Sequence, residues 1–194
     1  IENIRLFNLP VLVAMNEFTS DTTEEMAVVE NRCRDLGVQA IRCDHWARGG
    51  QGAEKLAHAV VEMAEQPRKS GFQYLYTDEM HLWNKARVIA QNIYGADNIM
   101  AEAKIRQKFK DFEVVGYGHL PICMAKTQYS LSTDPALLGR PKAFDVPIRD
   151  VRLSAGAGFV VVLTGEVMTM PGLPAIPSAE SIDLNERNEI VGLF

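Results

Sequence analysis

The chain switches repeatedly between short continuous apolar runs and helically spaced apolar positions. Residues 11–15 (VLVAM) form an unbroken apolar run between Pro10 and Asn16, the pattern of a buried parallel strand. Cap candidates and acidic residues follow in "TSDTTEE". Met26, Val29, Cys33 and Leu36 then recur at helical spacing, and Gly37 supplies a stop. "VQAIRCD" predicts a second strand, Gly49, Gly50 and Gly52 a turn, and Leu56, Ala59, Val60 and Met63 the apolar stripe of another helix. Strand, helix, strand, helix is an α/β unit.

Beyond residue 70 the pattern changes. "SGFQYLYTDEM" predicts a short aromatic strand or extended stretch, and "HLWNKARVIAQNIYGAD" an amphipathic helix ending at Gly95. "AEAKIRQKFKDFEVVGYG" predicts a more polar helix, and "LPICMAKTQYSLS" a strand followed by a polar loop. "DPALLGRPKAF" is turn-rich. "FDVPIRDVRLSAGAGFVVVLTGEVMTM" predicts two strands joined at "SAGAG", where the lone GxG reads as a β-turn or bulge. "PGLPAIPSAE" is irregular, and "IDLNERNEIVGLF" predicts a small hairpin turning at residues 185–188. The expected class is therefore α/β over residues 1–70, followed by a smaller α+β region over residues 71–194.

Composition narrows the function classes. A net charge of −5 disfavours a nucleic-acid partner. No apolar run approaches the ~20 residues that span a bilayer, and no secretory signal opens the sequence. Cys33, Cys43 and Cys123 form no CxxC and no finger spacing with histidine, so reduced thiols in a cytoplasmic protein are expected, with no metal. The chain begins without Met in what reads as the tail of a helix, and it reads as cut from something longer.

Candidate chemistry gathers at the carboxyl ends of the first two strands, where open α/β sheets place ligands. One ends in Asn16, Glu17 and Phe18, the other in Asp44, His45, Trp46 and Arg48. Parallel pairing would bring Phe18 and Trp46 to face each other across a slot suited to a flat heteroaromatic ring. The plainer alternative puts both rings in the core. Arg48 with the amides of Gly49 and Gly50, ahead of a helix, offers an anion site, against the alternative of a simple glycine turn. The phosphate loop GxxxxGK[ST] is absent, as are HExxH and GxSxG. Lys126, Ser130 and Ser132 lie together past a strand, but the residues alone supply no catalytic set.

The stretches "NEFTSDTTEE", "WARGGQG", "YGAD", "LPICMAKTQYSLS", "RDVRLSAGAGF" and "GEVMTMPGLP" resemble, in order, the C-terminal portion of formate–tetrahydrofolate ligase. That resemblance implies a P-loop-type nucleotide domain with smaller appended domains, assembled as a homo-oligomer, a tetramer in the family. It implies a ligase that formylates tetrahydrofolate with formate and ATP through formyl phosphate, aided by Mg and a monovalent cation. The phosphate loop would lie in an upstream part, so no catalytic residue is expected here. Phe18 and Trp46 match the Phe and Trp that sandwich the pterin ring. Arg48, with Arg42 and the glycine turn, becomes a candidate for the folate glutamate tail. Asn16, Leu138, Gly139 and Pro141 become candidates for the nucleotide base. Glu17, Thr19 and Arg42 depart from the family's usual Arg, Pro and apolar residue. A non-catalytic binding or oligomerisation module derived from the ligase is the alternative.

Overall fold

A computed structural model describes residues 1–66, 71–165 and 175–192. A short helix α1 (Glu2–Arg5) leads into β1 (Leu12–Asn16), then α2 (Thr23–Asp35), β2 (Gln39–Cys43), the single turn α3 (His45–Arg48), a 3-10 turn (Gly49–Ala53) and α4 (Glu54–Glu65). β1 and β2 pair in parallel, Asn16 opposite Cys43, and Glu17 N–H extends the ladder to the Cys43 carbonyl at 3.0 Å. Helix α2 starts at Thr22 with a complete capping box: Thr22 and Glu25 each bond the other's backbone N–H.

This first unit buries little. Only Met15 of β1 is buried, so the expected buried strand is half exposed here. Of the predicted helix stripes, Met26 and Cys33 are buried, but Val29 and Val60 are exposed, and α4 has no buried residue. Two parallel strands offer too small a surface to cover both helices.

The second unit is different. α5 (Leu82–Ile89) passes through a π turn (Ala90–Tyr94) to a left-handed stop at Gly95, φ 75°. β3 (Asn98–Met100) follows, then α6 (Ala103–Phe112) with its own π turn (Glu113–Tyr117), β4 (Ile122–Ala125), β5 (Asp145–Ser154) and β6 (Phe159–Thr164). The sheet runs β3-β5-β6-β4, with β5 and β6 antiparallel and both outer pairs parallel. The "SAGAG" stretch is the tight turn between β5 and β6, as its glycines imply. Leu82, Ala86, Ile99, Phe109, Val146, Val151, Val160 and Val162 close one continuous core between α5, α6 and this sheet.

Three readings need correction or supplement. Of the two alternatives for residues 71–81, the extended stretch forms and the strand does not: Phe72 stacks on Phe7 at 5.8 Å, and Gln73 N–H bonds the Phe7 carbonyl. β3 goes unpredicted because three residues are too short for a visible period. The continuation of the last long strand into residues 166–174 lies outside the described residues. The terminal hairpin forms as expected: β7 (Asp183–Leu184) pairs antiparallel with β8 (Ile190–Val191), and the Asn185 side chain accepts N–H bonds from Arg187 and Glu189.

Lys85 is fully buried, and sequence gave no hint of it. Its ammonium donates to the carbonyls of Asp78, Gly118 and Leu120 at 2.8–3.1 Å and sits 5.7 Å from the Tyr76 ring centre. Burial lowers its pKa. One side chain thus ties the connector and the end of α6 to α5.

Candidate functional site

The carboxyl ends of β1 and β2 lie side by side, and each turns sharply at once. After Asn16 and Glu17, Phe18 opens a turn closed twice by Asp21. Its carboxylate accepts from Phe18 N–H at 2.8 Å, and its own N–H donates to the Phe18 carbonyl at 3.0 Å. After Cys43, the Asp44 carbonyl accepts from the N–H groups of Ala47 and Arg48, both at 3.0 Å, which makes the single turn α3. The Asp44 carboxylate also pairs with Arg48 Nε at 2.6 Å. Trp46 stands at the middle of this doubly closed turn.

The two aromatic rings meet above the strand tips. Their centroids are 6.5 Å apart with planes inclined by 48°. Neither ring is core: Phe18 is 49% exposed and Trp46 77%. Exposed aromatic rings held side by side by tight turns are unusual on a surface with nothing to bind. A flat ring inserted between two others needs a centroid separation of about 7 Å, twice a ~3.5 Å van der Waals contact. A small rotation of either ring from the observed geometry would admit one.

The charged neighbours are already engaged. Arg42 grips Glu30 through Nε and a terminal nitrogen, at 2.6 and 3.1 Å. That bidentate pair raises the Arg42 pKa and lowers that of Glu30; Glu17 adds a weaker attraction for Arg42. Arg42 therefore braces α2 against β2, and its guanidinium is not free to serve an outside anion. Arg48, half exposed, has its Asp44 pair as the nearer commitment. The glycine turn is a 3-10 helix running straight into α4, with Gly49 at φ 58° and Gly50 unobstructed.

The remaining candidates lie elsewhere. Leu138 is exposed, and Gly139 bridges Ser130 at φ 69°. Arg140 pairs with Glu2, and the Pro141 carbonyl lies against Gly95. None of these contacts reaches Asn16, Phe18 or Trp46. Lys126 donates to the carbonyls of Thr127 and Ser130, and Ser130 and Ser132 are buried and bond each other and the loop backbone at Leu137 and Asp134. These serines pin a loop and stand in no nucleophilic arrangement.

Sequence reading missed the supports of the two rings. Asp21, three residues after Phe18, and the Asp44–Arg48 spacing of four were the available signals. Gly52 left none beyond being a glycine in a turn.

Comparison with known proteins gives this geometry a context. The sequence profile described as formate–tetrahydrofolate ligase matches residues 1–194. A formate–tetrahydrofolate ligase of Sinorhizobium fredii (strain NBRC 101917 / NGR234) is 54% identical over 194 residues, covering 100% of this chain and 34% of the relative. Those of Methylobacterium sp. (strain 4-46) and Ruegeria pomeroyi (strain ATCC 700808 / DSM 15171 / DSS-3) are 55% and 52% identical, each covering 100% of this chain and 35% of the relative. The chain thus spans about a third of the length of the curated relatives it matches. A profile match along every residue, over a mixed α/β fold with parallel-containing sheets, shows that this chain belongs to the formate–tetrahydrofolate ligase family.

Proposed function

We propose that this chain is the folate-binding part of an ATP-dependent ligase that joins formate to tetrahydrofolate, and that Phe18 and Trp46 hold the pterin ring. One observation carries the reading: two exposed aromatic rings 6.5 Å apart, each on a turn that its own neighbours close. The ring would enter between them by stacking, worth about 0.5–1.5 kcal/mol per face beyond area burial. The glutamate tail would then run toward Arg48 and the Gly49–Gly50 backbone, on the solvent side of Trp46. There Arg48 would share its guanidinium between Asp44 and the tail.

Chemistry at the formyl group belongs to the rest of the ligase. The chain carries no GxxxxGK[ST] loop, and the proposal assigns no catalytic residue to it. ATP and formate would be handled chiefly outside this segment, with Asn16, Leu138, Gly139 and Pro141 offered to the nucleotide base. Among the described residues no cluster of three or more His, Cys, Asp or Glu is placed to hold a metal ion, so Mg and the monovalent cation are assigned to no residue here. Residues 1–70 would complete the sheet of the nucleotide domain. The half-exposed β1–β2 pair supports that reading, since two parallel strands rarely stand alone. Residues 71–194 would form the smaller appended unit. Among the described residues no helix is long and apolar enough to cross a membrane. Homo-oligomeric assembly and a cytoplasmic setting are part of the proposal.

The test is formylation by the full-length ligase of which this chain is proposed to be a part. Trp46→Ala and Phe18→Ala should each raise the KM for tetrahydrofolate at least about tenfold while the KM for ATP stays near wild type. Loss of ATP affinity with folate affinity intact would overturn the assignment. Formylation by the 194-residue chain alone would overturn the division of labour.

A further inference from the structure

The ring slot depends on where the Trp46 turn sits, and one residue outside that turn decides it. Gly52 lies in the 3-10 turn (Gly49–Ala53), six residues beyond Trp46, and is buried although both neighbouring glycines are exposed. Its α-carbon packs on the peptide that joins Asp44 to His45. A Cβ there would stand 2.5 Å from the Asp44 carbonyl carbon and the His45 nitrogen, and 2.7 Å from the Asp44 oxygen. That same oxygen receives the two N–H bonds that form α3. All three obstructing atoms are backbone, so no rotamer change relieves them. Any side chain must push the start of α3 away by roughly an ångström, and the Phe18–Trp46 gap is already slightly narrower than a bound ring needs.

We propose that Gly52 is a positioning residue for tetrahydrofolate: its bare α-carbon, with the Asp44–Arg48 clamp, fixes the α3 turn so that the Trp46 ring stands at stacking distance from Phe18. The inference rests on the pterin reading above. It adds that specificity for the flat ring is set by backbone contact beneath Trp46 as well as by the ring itself. Gly52 touches no substrate. It acts through the Asp44–His45 peptide, and Asp44 acts through Arg48.

The experiment is steady-state kinetics of the full-length ligase with tetrahydrofolate monoglutamate, ATP and formate, together with a melting curve, for Gly52→Ala, Asp44→Asn, Trp46→Ala and Gly156→Ala. Gly156 sits in the β5–β6 turn with open space at its Cβ and is the matched control. Gly52→Ala should raise the KM for tetrahydrofolate by about tenfold or more, since an ångström of misplacement costs up to ~100-fold. The KM values for ATP and formate should stay close to those of Gly156→Ala, while the melting temperature falls below that of Gly156→Ala because backbone itself must shift. Asp44→Asn should shift the same KM in the same direction by about threefold, the scale of an exposed ion pair.

Gly52→Ala with wild-type folate KM, while Trp46→Ala loses folate, would overturn the positioning role and leave the ring slot standing. Trp46→Ala with wild-type folate KM would overturn both. A Gly52→Ala enzyme whose three KM values worsen together with its melting temperature would show a merely structural glycine. If Gly52→Ala does not fold, Asp44→Asn decides, and an unchanged folate KM there would sink the inference.

Discussion

The two sheets of this chain solve opposite problems. Among the described residues, the four-stranded sheet with α5 and α6 closes thirteen buried hydrophobic residues into one cluster and spends its aromatic Phe109 inside it. Among the described residues, the hydrophobic side chains that the two-stranded sheet buries with α2 and α4 are Met15, Met26, Cys33, Val38, Ile41 and Cys43, and Phe18 and Trp46 stay in solvent. Side-chain ties follow the same division. Lys85 ties the connector and the loop after α6 to α5, and Ser130 and Ser132 pin their own loop, while in the first unit Asp21, Asp44 and Gly52 hold turns that carry exposed rings. A region that satisfies itself is scaffold; a region that holds apolar rings outward, at a cost in ordering, is built for something that arrives later.

The contrast can be broken most forcefully at its two aromatic extremes. Phe109→Ala should destabilise the second unit by about 3–5 kcal/mol, seen as an early transition in thermal or denaturant unfolding, because a fully buried ring leaves a cavity. Trp46→Ala, by contrast, should leave the melting temperature nearly unchanged, since that ring is 77% exposed. Equal losses at the two positions would erase the distinction. Lys85→Met comes next. It strips three part-buried carbonyls of their donor and should cost about 2–3 kcal/mol; a neutral result would mean that water or a shifted backbone replaces the ammonium.

How far the sequence carries this picture depends on the physical kind of signal. Periods show well: α2, α4, α5, α6 and the β5–β6 hairpin all follow from apolar spacing and turn residues. β1 and β2 are legible too, yet not their half exposure, because an apolar run looks the same whether a third strand covers it or not. The meeting of Phe18 and Trp46 follows from the rule that ligands gather at strand ends, and the register Asn16 to Cys43 brings them together. Gly52 and Lys85 were illegible. A close backbone approach and a buried ammonium are tertiary facts, and neither leaves a local pattern.

Smaller effects sharpen the comparison. Thr22→Ala removes the cap of α2 and should cost about 1 kcal/mol, confined to the first unit; amide hydrogen exchange in residues 23–35 would report it. The smallest is electrostatic. The hydrogen bond from Lys108 at 2.6 Å holds the Asp150 carboxyl below its usual range and links α6 to β5. A carboxyl depressed in the folded state adds stability above its unfolded value of about 3.9 and loses it as pH falls through the lower folded value. Asp150→Asn should therefore flatten the acid limb of the second unit's stability curve below about pH 4, by a modest amount at this exposed pair. An acid limb unchanged by the substitution would place the acid sensitivity elsewhere.

The most direct measurement is a crystal structure of the full-length ligase with tetrahydrofolate bound. The pterin should lie between Phe18 and Trp46, their centroids opened from 6.5 Å to about 7 Å and their planes brought closer to parallel. A pterin seated away from the tips of β1 and β2, with these two rings still in contact with each other, would contradict the account.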